Sequence, residues 1–314
     1  MHRVSIKGQY IINCIDAPWH VYTDNKFIYL YVIIGKICTF AECINPLLTD
    51  MRKGLVIVLT LCLCLAVHAQ QNIQAVVIEQ AAQSIAVDPQ GYVYAINDAS
   101  LYKYAPDGTL LYSYNNNLLG NISSIDVDNP LKIMLFYRDA GSILFLDDKL
   151  APIGDMVDLF SKGLTTISLA TYSTKNELIL YDESNTDLIF LDFYFREKER
   201  IHYDFKDCQP ILLTNINEKM TVMQDPQQGV FFFDNFGTFE KNIAVLSAYP
   251  IQILKDRILY INNNQLNSYS YLQLEWNPLC DLAEKTIQVL IYQNNIIFTD
   301  GKTIKIQALN QNKP

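Results

Sequence analysis

Carboxylates at alternate positions are the first residues in this chain whose spacing could do chemistry. Asp126 and Asp128 stand two apart in SSIDVDNP. In an extended strand that spacing puts both side chains on one face, and a hard cation accepts such oxygens. The following Asn129-Pro130 also marks a strand end and turn, so the pair reads first as turn-forming. The rest of the inventory is short. His202 is the only histidine beyond residue 68, and it lies in a polar stretch beside Tyr203 where a surface or packing role is expected. There is no Gly-x-Ser-x-Gly elbow, Gly-rich phosphate loop, His-Glu-x-x-His helix or Cys-x-x-Cys pair. Nucleophile, nucleotide, zinc and thiol-redox signatures are therefore missing. No catalytic residue, metal site or cofactor is assigned, and the expectation leans away from an enzyme.

A second set of residues recurs instead of converging. Asp98, Asp139, Asp182, Asp225, Asn263 and Asp300 are separated by 41, 43, 43, 38 and 37 residues, with Arg138 and Glu183 beside two of them. On one rim, these eight residues would form an acidic surface able to receive a basic peptide or cation by charge complementarity. Asp and Asn also begin turns by bonding their own backbone. Repetition in every unit favours that role, because dedicated binding residues usually break symmetry. Tyr92, Tyr94, Tyr102, Tyr104, Tyr112 and Tyr114 alternate in the first unit, and Phe231–Phe233 are consecutive in the fourth. Most are expected to fill wedge-shaped gaps between units. Any left on a rim would suit peptide or glycan.

The elements that carry these residues repeat with the same period. SIAVDPQGYVYAIND, SSIDVDNPLKIMLFYRD, TISLATYSTKNELILYD, PILLTNINEKMTVMQD, PIQILKDRILYINN and IQVLIYQNNIIFTD each read as two strands joined by a polar turn. Third strands follow in SLYKYAPDG, SILFLDD, DLIFLDF and GVFFFDNFG, and each runs into an aspartate-bearing turn at Asp107, Asp147, Asp192 or Asp234. More polar fourth strands, LLYSYN (110–115), APIGDMVDL (151–159), EKERIHYDF (197–205) and EKNIAVL (240–246), suit an outer edge partly in water. Four antiparallel strands about every 40 residues predict β-propeller blades. Six units fill the chain from about residue 70, except that the sixth lacks a fourth strand. NIQAVVIE (72–79) is left over at the other end, and as that strand it would close the ring and remove an exposed edge.

The stretch SIAVDPQGYVYAINDASLYKYAPDGTLLYSY resembles the repeat of six-bladed propellers of the NHL and gluconolactonase-like superfamily. IDVDNPLKIMLFYRDAGSILFLD and GVFFFDNFGTFEKNI are similar to segments of exported propellers of Bacteroidota envelopes. The resemblance implies an all-β, six-bladed architecture. It also implies that a metal-dependent lactonase of this fold would carry Glu, Asn and Asp ligands around the central channel. Here the innermost strands hold no inward Glu and few other carboxylates.

MRKGLVIVLTLCLCLAVHAQQ (51–71) has the layout of a secretory signal: Arg52 and Lys53, an apolar run over 55–67, then small or apolar Val67 and Ala69 before Gln70. Export machinery meets the basic end first. Residues 1–50 therefore read as an upstream extension, 51–69 as a cleaved leader and 70–314 as the propeller. Neither that apolar run nor FIYLYVII (27–34) reaches the ~20 residues of a membrane span, so no integral span is expected in the processed chain. Subtracting residues 1–69 removes six of 24 Lys+Arg and four of 33 Asp+Glu, which leaves a net charge near −11. That balance argues against nucleic acid and anionic lipid as partners. Five of seven cysteines also go, leaving Cys208 and Cys280, too few for a disulfide framework. The expectation is an exported, non-catalytic scaffold of the periplasm or outer membrane, monomeric, binding an envelope protein and accessory to outer-membrane assembly or secretion. The alternatives are a metal-dependent lactonase or esterase and a glycan-binding module.

Overall fold

The computed structural model describes residues 75–173, 175–216 and 219–309. The expected upstream extension, leader and cleavage point all lie outside the described residues. A short strand, β1 (Val76–Ile78), comes first. Blade 1 follows as β2 (Ser84–Val87), β3 (Val93–Asn97), β4 (Ser100–Tyr104) and β5 (Leu110–Asn115), and blade 2 as β6 (Ser124–Asp126), β7 (Ile133–Tyr137), β8 (Ser142–Leu146) and β9 (Val157–Asp158). Blade 3 comprises β10 (Ile167–Tyr172), β11 (Leu178–Asp182), β12 (Asp187–Leu191) and β13 (Glu197–His202). Blade 4 comprises β14 (Leu212–Ile216), β15 (Met220–Asp225), β16 (Gly229–Asp234) and β17 (Phe239–Ile243). Blade 5 comprises β18 (Gln252–Leu254), β19 (Arg257–Asn262), β20 (Gln265–Ser270) and β21 (Glu275–Asp281). The last blade has β22 (Gln288–Tyr292), β23 (Asn295–Thr299) and β24 (Ile304–Ala308), with β1 antiparallel to β24 through Val76↔Ile306 and Ile78↔Ile304.

These six four-stranded antiparallel sheets make the chain an all-β, six-bladed propeller. The only helical element among the described residues is a single 3₁₀ turn at Phe160–Lys162. No helix among them is long and apolar enough to cross a membrane. Alternation along each middle strand sends side chains to both faces of its blade, and both faces are covered by neighbours. Six apolar clusters result, one between each pair of successive blades. Met134 and Phe136 meet Ala170 and Leu180 between blades 2 and 3; Tyr181 and Phe190 meet Met223 and Phe233 between blades 3 and 4. The alternating tyrosines of blade 1 mostly pack as expected: Tyr94 and Tyr104 are buried, Tyr92, Tyr102 and Tyr114 half-buried, and Tyr112 exposed.

One outer strand departs from its expected extent. The stretch 151–159 pairs only at Val157–Asp158, plus a single bridge between Leu146 and Pro152. Gly154, at φ +67°, turns the intervening chain away from β8. Cys208 and Cys280 both remain thiols, in different inter-blade clusters. Burial pushes the Cys208 thiol up to about 12, with Asp225 adding to the shift.

Candidate functional site

Antiparallel order gives each blade two ends. The turns between second and third strands share one end with the links into the innermost strands. The turns between first and second strands, and between third and fourth, share the other. All eight residues of the expected acidic rim lie at the first end, and they divide into two kinds. Asp182 and Asp225 are buried caps. Asp182 accepts the Thr166 hydroxyl at 2.6 Å and the Asn185 side-chain amide at 2.8 Å. Asp225 accepts the backbone N–H groups of Gln209, Gln227 and Gln228 at 2.6, 2.7 and 2.8 Å. Asp300 similarly accepts the N–H groups of Lys302 and Thr303. Asp98, Asp139 and Asn263 face solvent, although Asp98 accepts from Gln83, just before β2. Arg138 and Glu183 form an exposed ion pair at 2.7 Å that bridges blades 2 and 3.

The two kinds differ in what their removal costs. Asp225→Ala leaves three backbone donors without their acceptor and is expected to cost about 2–4 kcal/mol. Asp139→Ala, on the exposed side, is expected to stay within about 0.5 kcal/mol. Urea unfolding of the two variants measures the difference; equal midpoints would remove the capping role of Asp225.

The channel opens at the other end. Its mouth is a cavity of about 490 Å³ at the ends of the innermost strands, lined by Asp88, Asp128, Tyr172, Asn215, Gln252 and Tyr292 among others. Asp88 is fully engaged, accepting the Tyr94 hydroxyl at 3.0 Å and the N–H groups of Gln90 and Tyr92. The Asp126/Asp128 pair behaves as a strand end. Asp126 turns to blade 3, where it accepts the Thr171 hydroxyl at 2.7 Å and the Tyr172 N–H at 3.0 Å, while its other oxygen accepts the Asp128 N–H. Asp128 alone is left at the mouth. Among the described residues no three His, Cys, Asp or Glu side chains gather as a metal cluster.

Desolvation by the crowded strand ends, aided by the charge of Asp126, pushes the Asp128 carboxyl up to about 7. A carboxyl raised in the folded state favours folding relatively more at low pH. That stability is present below about pH 4 and is lost as pH rises toward 7. Solvent still reaches Asp128 through the mouth, so the effect is well below that of a fully buried acid. Asp128→Asn is expected to gain about 1–2 kcal/mol over the parent at pH 8 and almost nothing at pH 4. Unfolding midpoints at the two pH values provide the check; a gain independent of pH would contradict it. Lys132 donates to the Tyr172 hydroxyl and lies 4.4 Å from the ring centres of both Phe145 and Tyr172. Burial lowers its pKa.

Large apolar side chains crown the same end, most densely over blades 3 to 5, while blade 2 adds Leu131, 68% exposed in the turn between β6 and β7. The turns from third to fourth strand in blades 3, 4 and 5 present Phe193 and Tyr194, Phe236, and Leu272 and Leu274, each between 57% and 73% exposed. The corresponding turns of blades 1 and 2 carry polar tips, Asp107 and Asp148-Lys149. The turn aspartates set the tips in place. Asp192 accepts the N–H groups of Tyr194 and Arg196, Asp234 those of Phe236 and Thr238, and in blade 5 the Ser270 hydroxyl accepts from Gln273. Gly237 completes its turn at φ +78°, where a Cβ would press to 2.8 Å from the Phe190 ring. None of these five apolar tips stands out in the sequence, because an apolar residue inside a turn reads as continuation of the strand before it. In blades 3 and 4 the distinguishing signal is an apolar residue one or two positions after a turn-opening Asp, as in DFYF and DNFG, whereas Leu272 and Leu274 follow Ser270. His202 lies far from the mouth on β13, largely exposed, with its Nδ1 3.0 Å from Asp187. That hydrogen bond raises its pKa.

No family model matches the chain, and no curated protein matches it. Solved structures do. A streptogramin B lyase superposes with a TM-score of 0.52 at 14% identity, over 71% of this chain and 78% of that one. The Pan2 WD40 domain of Neurospora crassa gives 0.51 at 8% identity, over 74% and 90%. A catalytically inactive virginiamycin B lyase from Staphylococcus aureus, with quinupristin, gives 0.50 at 12%, over 72% and 79%. At such identities the likeness is one of fold, and lyase and WD40 neighbours together show how little the fold says of chemistry.

Proposed function

We propose that this chain is an exported, non-catalytic propeller that binds a protein partner in the cell envelope through the end bearing the channel mouth. The observation that carries this reading is the concentration of exposed Phe193, Tyr194, Phe236, Leu272 and Leu274 in the third-to-fourth-strand turns of three consecutive blades. A scaffold repeat would place the same residue type in each of the five such turns. Blades 3 to 5 break the repeat at its most exposed positions, where only a partner gains from apolar surface. Aromatic and large aliphatic tips held by Asp- and Ser-capped turns lose little entropy on binding, which suits them as anchors.

Export rests on the leader-like stretch 51–71. A role beside outer-membrane assembly or secretion rests on the resemblance to exported Bacteroidota propellers. A lactonase-type reaction has less support, because Asp88 and Asp126 are already hydrogen-bonded within the fold and leave one carboxyl, Asp128, at the mouth. The test is crosslinking in the native envelope from positions at the mouth end, followed by identification of the captured protein. A single recurrent envelope protein supports the reading. Recovery of small molecules alone, or of a tightly held stoichiometric divalent ion in the purified protein, overturns it.

A further inference from the structure

Outer strands are where a propeller meets solvent with unpaired N–H and C=O groups, and such edges are normally blunted against pairing with other chains. Five of the six outer strands here are blunted in recognisable ways. β9 has two residues and β1 three. β13 reads EKERIH, β17 carries Glu240 and Lys241, and β21 carries Glu275, Asp281 and Pro278. The sixth is β5, LLYSYN, six residues long without charge or proline and exposed at every position but Tyr114, its one irregularity a bulge at Leu111 of the kind β13, β17 and β21 also carry. The uncharged stretch extends from Gly108 to Ile125. Leu110 is 52% exposed, and Leu118 just beyond the strand 96%.

The register identifies which groups are unpaired. Asn116 donates its N–H to the Ala99 carbonyl, and β5 pairs with β4 through Leu101↔Tyr114 and Tyr102↔Ser113. Hydrogen-bonded and non-bonded pairs alternate in an antiparallel ladder. Tyr114 and Tyr112 therefore bond inward, while Ser113 and Asn115 aim both backbone groups outward. We propose that β5 is a docking edge that adds one extended, uncharged, β-forming segment of a protein partner to blade 1. The segment hydrogen-bonds to Ser113 and Asn115 and sets apolar residues against Leu111 and Tyr112. This is β-strand addition, in which main-chain bonds hold the segment and alternate side chains select it. A second copy of the propeller is the poorer occupant. Six residues of a rigid edge bury far less than the ~1,200 Å² that a stable association of two folded bodies needs, whereas a flexible segment folds its side chains over both sides of the edge. The absence of charge on β5 selects against charged segments, which would lose hydration with nothing to pair them.

The inference is independent of the mouth-end reading and is tested separately from it. A photocrosslinking residue replaces Leu111 in the full exported chain, in its native cells. The adduct is digested to map the partner segment, and amide exchange is measured on the purified complex. Ser113→Pro is the deciding variant, since proline there deletes an outward N–H and no internal ladder bond. Support consists of an adduct mapping to an uncharged extended segment, slowed exchange at Asn115, and about a tenfold fall in adduct yield with Ser113→Pro at unchanged melting temperature. An adduct of two copies of this chain, a yield indifferent to Ser113→Pro, or no adduct at all would each overturn it. A crosslink from the mouth end that persists in the Ser113→Pro protein leaves the proposed function standing while this edge fails. Loss of the mouth-end crosslink alone does the reverse.

Discussion

Replacing Phe236 and Leu272 together by aspartate is expected to reduce partner capture about 700-fold while leaving the fold intact. Interface energy concentrates in a few large side chains, each costing about 2 kcal/mol or more when removed, and 1.4 kcal/mol is a factor of ten. Two such anchors on adjacent blades account for the whole effect, before any repulsion from the new charges. The fold is spared because these side chains are 68% and 73% exposed and add little to the inter-blade clusters. Exposed substitutions of that kind stay within about 0.5 kcal/mol, a shift of only a degree or two in Tm. The control is Leu246→Asp, 49% exposed in the link between blades 4 and 5 at the opposite end. It adds one such charge where the double variant adds two, and should leave capture unchanged. Quantitative crosslinking yields for the three proteins decide the matter. Equal losses in the double variant and in Leu246→Asp would mean that charge alone, and not a defined surface, governs capture.

The architecture was legible in the sequence because propeller turns have strong local chemistry. Asp107, Asp147, Asp192 and Asp234 each accept backbone N–H groups two or more residues ahead, so the same letter recurs wherever the same turn recurs. The alternation of Tyr92, Tyr94, Tyr102 and Tyr104 was readable for a similar reason, since period two is a property of the strand itself. What sequence hid are contacts between blades. Lys103, in SLYKYAPDG, passes for a polar strand residue, yet it is 3% exposed. Its amine donates to the Asp148 carbonyl at 2.8 Å and lies 4.6 and 5.3 Å from the Tyr92 and Tyr94 ring centres. The carbonyl that holds it is 45 residues away. Asp98 and Asp225 look equivalent by position, but the link into the innermost strand covers one and leaves the other in water. Exposure is the property on which the candidate site depends, and it is set by those long-range contacts.

The closing strand carries the largest expected effect on stability, and it discriminates within a single dipeptide. Ile78 is 7% exposed and packs among Ile85, Val93, Ala95 and Ile304, in the cluster between the last blade and the first. Val77, its neighbour on the other face of β1, is 48% exposed. Ile78→Asp places a carboxylate in that apolar cluster without a partner and is expected to cost about 4 kcal/mol or more, a large part of what holds a domain folded. Val77→Asp adds the same charge one residue away and is expected to cost less than about 1 kcal/mol. The contrast follows from pairing with β24, because only a strand fixed in register has an inside and an outside. Contact with blade 1 makes the loss cooperative. The turn at Gly108, φ +85°, lies so close to β1 that a Cβ there would meet Val76 at 2.5 Å. A ring with one seam loosened loses packing on both sides of the seam, so Ile78→Asp should lower the urea midpoint as one transition, without releasing a separate blade. Similar midpoints for the two variants would mean that β1 does not close the ring.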